Sequence, residues 1–134
     1  MPLLVTAAII LNDQNEVFLA RRKKGDRLGE HWELPGGKLE AGERPGACLE
    51  REIKEELNIE IKAEKPFNFS YFEYPDLRIL LLAYICRYVS GEARAVDCDD
   101  FSFFKKETIK NGELKIAPAD IALLNELLER GYIS

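Results

Sequence analysis

The sequence predicts a mixed α/β (α+β) fold, a β-sheet sandwiched between helices, on three observations. Leu3 to Leu11, Ile59 to Ala63 and Ile79 to Val89 are apolar or alternating runs rich in β-branched residues, and they read as strands. Between them, Leu49, Ile53 and Leu57 recur at i, i+4 and i+8, the spacing of one helix face. The chain has 134 residues, 46% hydrophobic and 32% charged, which suits one domain over 1–134 with a core that needs no staples.

The elements follow in order. Leu3–Leu11, the turn-forming Asn12-Asp13-Gln14-Asn15 and the Val17-Phe18-Leu19-Ala20 run predict a β-hairpin. Arg21 to Gly29 is polar and basic, a loop, and Trp32 to Pro35 is a short strand stopped by Gly36-Gly37. Pro45 suits the first turn of a helix that Asn58 ends by taking the left-handed conformation. Ile59–Ala63 is a strand, Phe67, Phe69 and Tyr71 alternate as another, and Pro75-Asp76 turns the chain into Ile79–Val89. Phe101 to Phe104 is a further short strand. Pro118 opens a last helix with Ile121, Leu124, Leu127 and Leu128 on its apolar face.

Charge and cysteine usage narrow the function. With 19 basic and 24 acidic residues the net charge is −5, which argues against a protein that coats a nucleic acid polymer. A small anionic ligand remains compatible if metal ions or a local basic patch offset the repulsion. Cys48, Cys86 and Cys98 form an odd set without CxxC spacing, so neither a disulfide framework nor a zinc site is expected; reduced thiols point to the cytoplasm. The apolar Leu3–Leu11 stretch is too short to span a membrane.

Glu52, Glu55 and Glu56 stand at i, i+3 and i+4, so their carboxylates are expected to converge on one helix face. Such a face repels itself unless it holds a hard divalent cation, and magnesium binds through one or two carboxylates plus substrate phosphates. A solvated acidic face is the plain alternative. Upstream, Arg21, Arg22, Lys23, Lys24 and Arg27 gather positive charge that either steers a triphosphate or is simply solvated.

The run from Gly37 through Glu43 to Arg51-Glu52-Ile53-Lys54-Glu55-Glu56-Leu57-Asn58-Ile59 resembles the signature of the Nudix hydrolases, G-x5-E-x7-R-E-U-x-E-E-x-G-U, where U is bulky and aliphatic. Asn58 stands where the family has glycine, and Arg44 where a Ser or Thr usually caps the helix. Neither change touches a carboxylate. The resemblance implies a Nudix fold and hydrolysis of a nucleoside diphosphate linked to another group. It implies Mg2+ (or Mn2+) held by Glu52, Glu55, Glu56 and the Gly36 carbonyl, with Glu43 and Arg51 fixing loop and helix by ion pairing. Glu52 is the first candidate for general base, and Asp97, Asp99 and Asp100 are alternatives from a downstream loop.

Val17-Phe18-Leu19-Ala20-Arg21-Arg22, Trp32 to Lys38, Tyr74-Pro75-Asp76 and Pro118-Ala119-Asp120 are together similar to the MutT-type nucleoside triphosphate pyrophosphohydrolases. That similarity implies a nucleotide held by Arg22, Leu34, Gly37, Lys38, Tyr74 and Asp120; charge and the short apolar stretch predict no nucleic acid or membrane partner, and both monomer and homodimer stay open. The residue at the place of Asp120 faces the base in such enzymes. An ionised Asp offers only acceptors, which match the N4 amine of cytosine, with an oxidised purine such as 8-oxo-dGTP as the alternative. The other readings are a catalytically silent nucleotide-sensing Nudix domain and a hydrolase of a nonnucleotide diphosphate.

Overall fold

Both faces of the central strands are covered, and this sets the architecture. In the computed structural model, which describes residues 1–134, the order is β1 (Leu3–Ile10), β2 (Val17–Arg21), β3 (Trp32–Glu33), α1 (Pro45–Leu57), β4 (Glu60–Glu73), β5 (Arg78–Ser90), β6 (Asp100–Phe104), α2 (Lys106–Lys110) and α3 (Pro118–Glu129). One sheet is mixed, in the order β1-β5-β4: β1 runs parallel to β5 and β4 antiparallel to it. The other, β3-β2-β6, is antiparallel. The period of two then sends alternate residues to opposite layers. Ala7, Ile9, Val17 and Leu19 pack with Leu123, Leu124 and Leu127 of α3, whereas Ala8, Ile10 and Phe18 pack with Leu49, Ile53 and Leu57 of α1. Each fully buried leucine in these layers stabilises the fold by about 2 kcal/mol.

Three expectations are revised. β1 and β2 turn at Asn12, whose Oδ1 accepts the Glu16 N–H at 2.9 Å, but they share only the Leu11–Val17 bridge and belong to different sheets. The hairpin fails because β5 takes one edge of β1 and the segment Pro35–Leu39 takes the other. The two strands expected at 59–71 are one strand, β4, with register shifts on either side of Pro66, which brings no N–H to the ladder. On α3 it is Leu123 that is buried, while Ile121 is 44% exposed. The short α2 went unanticipated from sequence.

The ends of α1 agree with the sequence reading. Arg44 makes no side-chain cap, and Pro45 supplies the helical φ at the first turn. Asn58 is left-handed at φ 60, ψ 26, and its N–H returns to the Lys54 carbonyl at 3.0 Å. We expect Asn58→Gly to melt within a degree or so of wild type, and Asn58→Val to lose about 1 kcal/mol or more because a β-branched residue resists that φ. Equal melting temperatures for the two variants would contradict the assignment.

Candidate active site

The segment Pro35–Leu39 lies along β1. The Pro35 and Gly37 carbonyls accept the Ala8 and Thr6 N–H groups at 2.7 and 2.8 Å, and the Leu39 N–H donates to Leu4 at 3.0 Å. Strand alternation turns the intervening Gly36 carbonyl away from β1, free of any backbone donor. Two glycines are required here for space, since both have ordinary φ. A Cβ on Gly36 would overlap the Thr6 carbonyl, and one on Gly37 would overlap the Glu52 carboxylate.

Arg51 ties this loop to α1. Its guanidinium donates to both oxygens of Glu43 (2.7 and 3.0 Å), to Glu52 (3.1 Å) and to Glu55 (3.2 Å). These bonds hold the Glu43 carboxyl down at about 2. Glu52 and Glu56 turn instead into a cleft of ≈ 510 Å³ between the helix, the glycine segment and the start of α3. Burial raises Glu52 above the ordinary glutamate range against the pull of Arg51. Glu56 is pushed up to about 8, by burial first and then by Glu52, Glu33 and Asp97.

The expected site is therefore assembled in part. Gly36, Glu52 and Glu56 line the cleft, as do Arg22, Leu34, Gly37, Lys38, Tyr74 and Asp120. The three glutamates do not converge: Glu55 is 59% exposed on the Arg51 side, and no three acidic, His or Cys side chains surround one cation-sized point. The signal was present, since Arg51 precedes Glu55 by four residues on the same helix. Two carboxylates with a free carbonyl still fit magnesium, an oxygen-seeking ion that keeps several waters for a substrate to replace. Glu43 and Arg51 lie outside the cleft as its braces.

Arg22, Lys23 and Arg27 of the basic loop are ion-paired, which weighs against steering, one of its two readings. Lys23 pairs with Asp97 at 2.6 Å and Arg27 with Asp76, while only the backbone N–H of Lys24 donates to Asp99, at 3.0 Å. Asp97, Asp99 and Asp100 do not line the cleft. Arg22 does, with its guanidinium 3.3 Å from Glu33, a cleft residue given no site role from sequence. Burial raises Glu33 in spite of that pairing.

Asp120 differs most from expectation. It is a first-turn acid, yet it is only 4% exposed, and its Oδ2 accepts the Leu34 N–H at 2.9 Å. Burial, followed by the charge of Glu33, lifts its carboxyl well above the usual range. Burial thus weighs against the ionised Asp120 that the sequence reading assumes and favours its protonated form, which offers one donor and an acceptor.

A mixed sheet between helices thus frames a cleft in which helix carboxylates face a glycine-lined backbone. The chain belongs to the Nudix family: residues 1–126 match the NUDIX domain, and the relatives make it a MutT-like Nudix hydrolase. The 8-oxo-dGTP diphosphatase of Haemophilus influenzae is 30% identical over 128 residues, 96% of this chain and 93% of that one. The 8-oxo-dGTP diphosphatase of Escherichia coli is 34% identical over 88 residues, 66% and 68% of the two chains. Among solved structures, the E. coli ORF135 protein superposes with a TM-score of 0.77 at 29% identity, covering 95% of this chain and 89% of its own. A MutT protein from Methanosarcina mazei Go1, at 23% identity, shares the fold with a TM-score of 0.79 over 96% of this chain and 92% of its own.

Proposed function

We propose that this domain, residues 1–134, hydrolyses an oxidised purine deoxynucleoside triphosphate of the 8-oxo-dGTP kind to the monophosphate and pyrophosphate, and so sanitises the nucleotide pool. The observation that carries the base preference is the buried Asp120. A carboxyl whose burial favours the protonated form presents a donor and an acceptor as an asparagine would, and the resemblance to MutT-type enzymes pairs asparagine at this place with oxidised guanine. Relatives named 8-oxo-dGTP diphosphatase support the same substrate. Cytosine-type triphosphates are the second reading, favoured by Glu33, a further carboxylate acceptor in the cleft.

When bound, a magnesium or manganese ion neutralises phosphate oxygens and makes water a stronger acid. Glu52, Glu56 and the Gly36 carbonyl are the groups that would hold it. Glu52, its side chain 16% exposed and its carboxyl raised by burial, accepts the proton of the attacking water, because Asp97 and Asp99 are engaged by the basic loop. Arg22 and Lys38 meet the phosphates, while Leu34, Tyr74 and Asp120 enclose the base. A cytoplasmic enzyme suits the three free cysteines; no helix is long and apolar enough to cross a membrane.

The test is kcat/KM for dCTP, dTTP, dGTP and 8-oxo-dGTP with wild type, Asp120→Asn and Asp120→Ala. The asparagine variant is expected to keep 8-oxo-dGTP first, and the alanine variant to lose that preference by about tenfold or more. A wild type that prefers dCTP would overturn the oxidised-purine reading in favour of the cytosine one.

A further inference from the structure

Asp76 lies in the turn between β4 and β5, outside the cleft lining, and its side chain is 56% exposed. Its two oxygens accept hydrogen bonds from Arg27 Nε at 2.6 Å and Nη2 at 2.7 Å. The pair joins this turn to the loop between β2 and β3, and a fork-to-fork geometry fixes direction as well as distance. The same guanidinium sits 4.3 Å from the centroid of the Tyr74 ring, whose hydroxyl accepts the Ala119 N–H at 3.0 Å. The Arg27 carbonyl accepts Arg22 Nε at 2.6 Å. One residue therefore holds two walls of the cleft, the Tyr74 ring and the Arg22 guanidinium. The loop that carries it is not relaxed: Leu28 and Glu30 have φ of 56 and 67, a backbone that persists only where neighbours hold it.

We propose that Asp76 is a positioning residue for nucleotide binding: by clamping Arg27 it fixes Tyr74 and Arg22 against the nucleotide, and it sets KM without entering the chemistry. The proposal rests on the reading of the cleft as a nucleotide site. An ion pair this exposed adds little to folding stability, so its effect belongs in binding.

Asp76→Ala and Asp76→Glu test it. The alanine variant is expected to raise KM for the preferred triphosphate about tenfold while kcat stays within about twofold, and the glutamate variant to recover part of the loss. Melting temperatures should differ by no more than about 2 °C. Without any nucleotide, the Gly29 and Glu30 amides, bonded to the Asp26 and Arg22 carbonyls, should exchange hydrogen several-fold faster in Asp76→Ala, and those of α1 at the wild-type rate. Unchanged exchange would overturn the clamp. Faster exchange with an unchanged KM, or a loss carried by kcat, would overturn the binding role. A wild type that hydrolyses no nucleoside triphosphate would overturn the substrate reading, and the exchange rates would still decide whether Asp76 holds the loop.

Discussion

Glu56→Gln is expected to lower kcat by orders of magnitude and, in metal-free buffer at pH 8, to raise the melting temperature above that of wild type. The two effects have one cause. Glu56 has an ordinary glutamate value of 4.5 when unfolded and about 8 when folded, because burial and the nearby Glu52, Glu33 and Asp97 disfavour its charge. Below 4.5 both states are protonated, and the carboxyl costs nothing relative to glutamine. Between 4.5 and 8 the folded state binds more protons than the unfolded one, so wild-type stability falls as pH rises. Above 8 the penalty is complete. Glutamine removes the titration while keeping the shape, so its advantage should grow across this window and then level off. Divalent cation should reverse the order, since it stabilises the charged carboxylate that the variant lacks. Thermal melts at pH 5, 6.5 and 8, with and without magnesium, measure this. Near-normal turnover by the variant, or a metal-free melting temperature below wild type at pH 8, would remove Glu56 from the proposed ligand set.

How much of this was legible in the sequence follows from the range of each interaction. The helix register of Leu49, Ile53 and Leu57 and its end at Asn58 are local, and the sequence reading agrees with the structure there. The hairpin expected at Asn12–Asn15 failed because the partners of β1 lie far along the chain, in the glycine segment and in β5. Ile121 and Leu123 stand two residues apart on α3 and face different sides, and the direction from which the sheet approaches decides which is buried. The cleft shows the same division. Glu52 and Glu56 are set by helix geometry, but the charge state of Asp120 depends on Leu34 and Glu33, far away along the chain. No window of sequence displays that burial. Likewise, the basic loop reads as free positive charge until Glu33, Asp76 and Asp97 are seen to pair with it.

Gly36 and Gly37 are neighbours, yet their alanine variants should fail in opposite ways. At Gly36 the added Cβ overlaps a backbone carbonyl, that of Thr6, on a strand buried between β5 and the glycine segment itself. A strand locked on both edges cannot yield without breaking the Pro35 and Gly37 hydrogen bonds, so Gly36→Ala should cost about 3 kcal/mol or more and melt early. At Gly37 the obstacle is the end of a side chain, the Glu52 carboxylate. That group can swing away about its own torsions, so Gly37→Ala should fold with a melting temperature within a few degrees of wild type. Swinging away, however, removes Glu52 from the place where it faces Glu56 and the Gly36 carbonyl. Turnover should then fall by about a hundredfold or more, because a displaced carboxylate neither holds the cation nor meets the water. Melting and kinetics on the two purified variants separate the cases. Full activity in Gly37→Ala would show that the position of Glu52 beside this glycine is not the one used in catalysis.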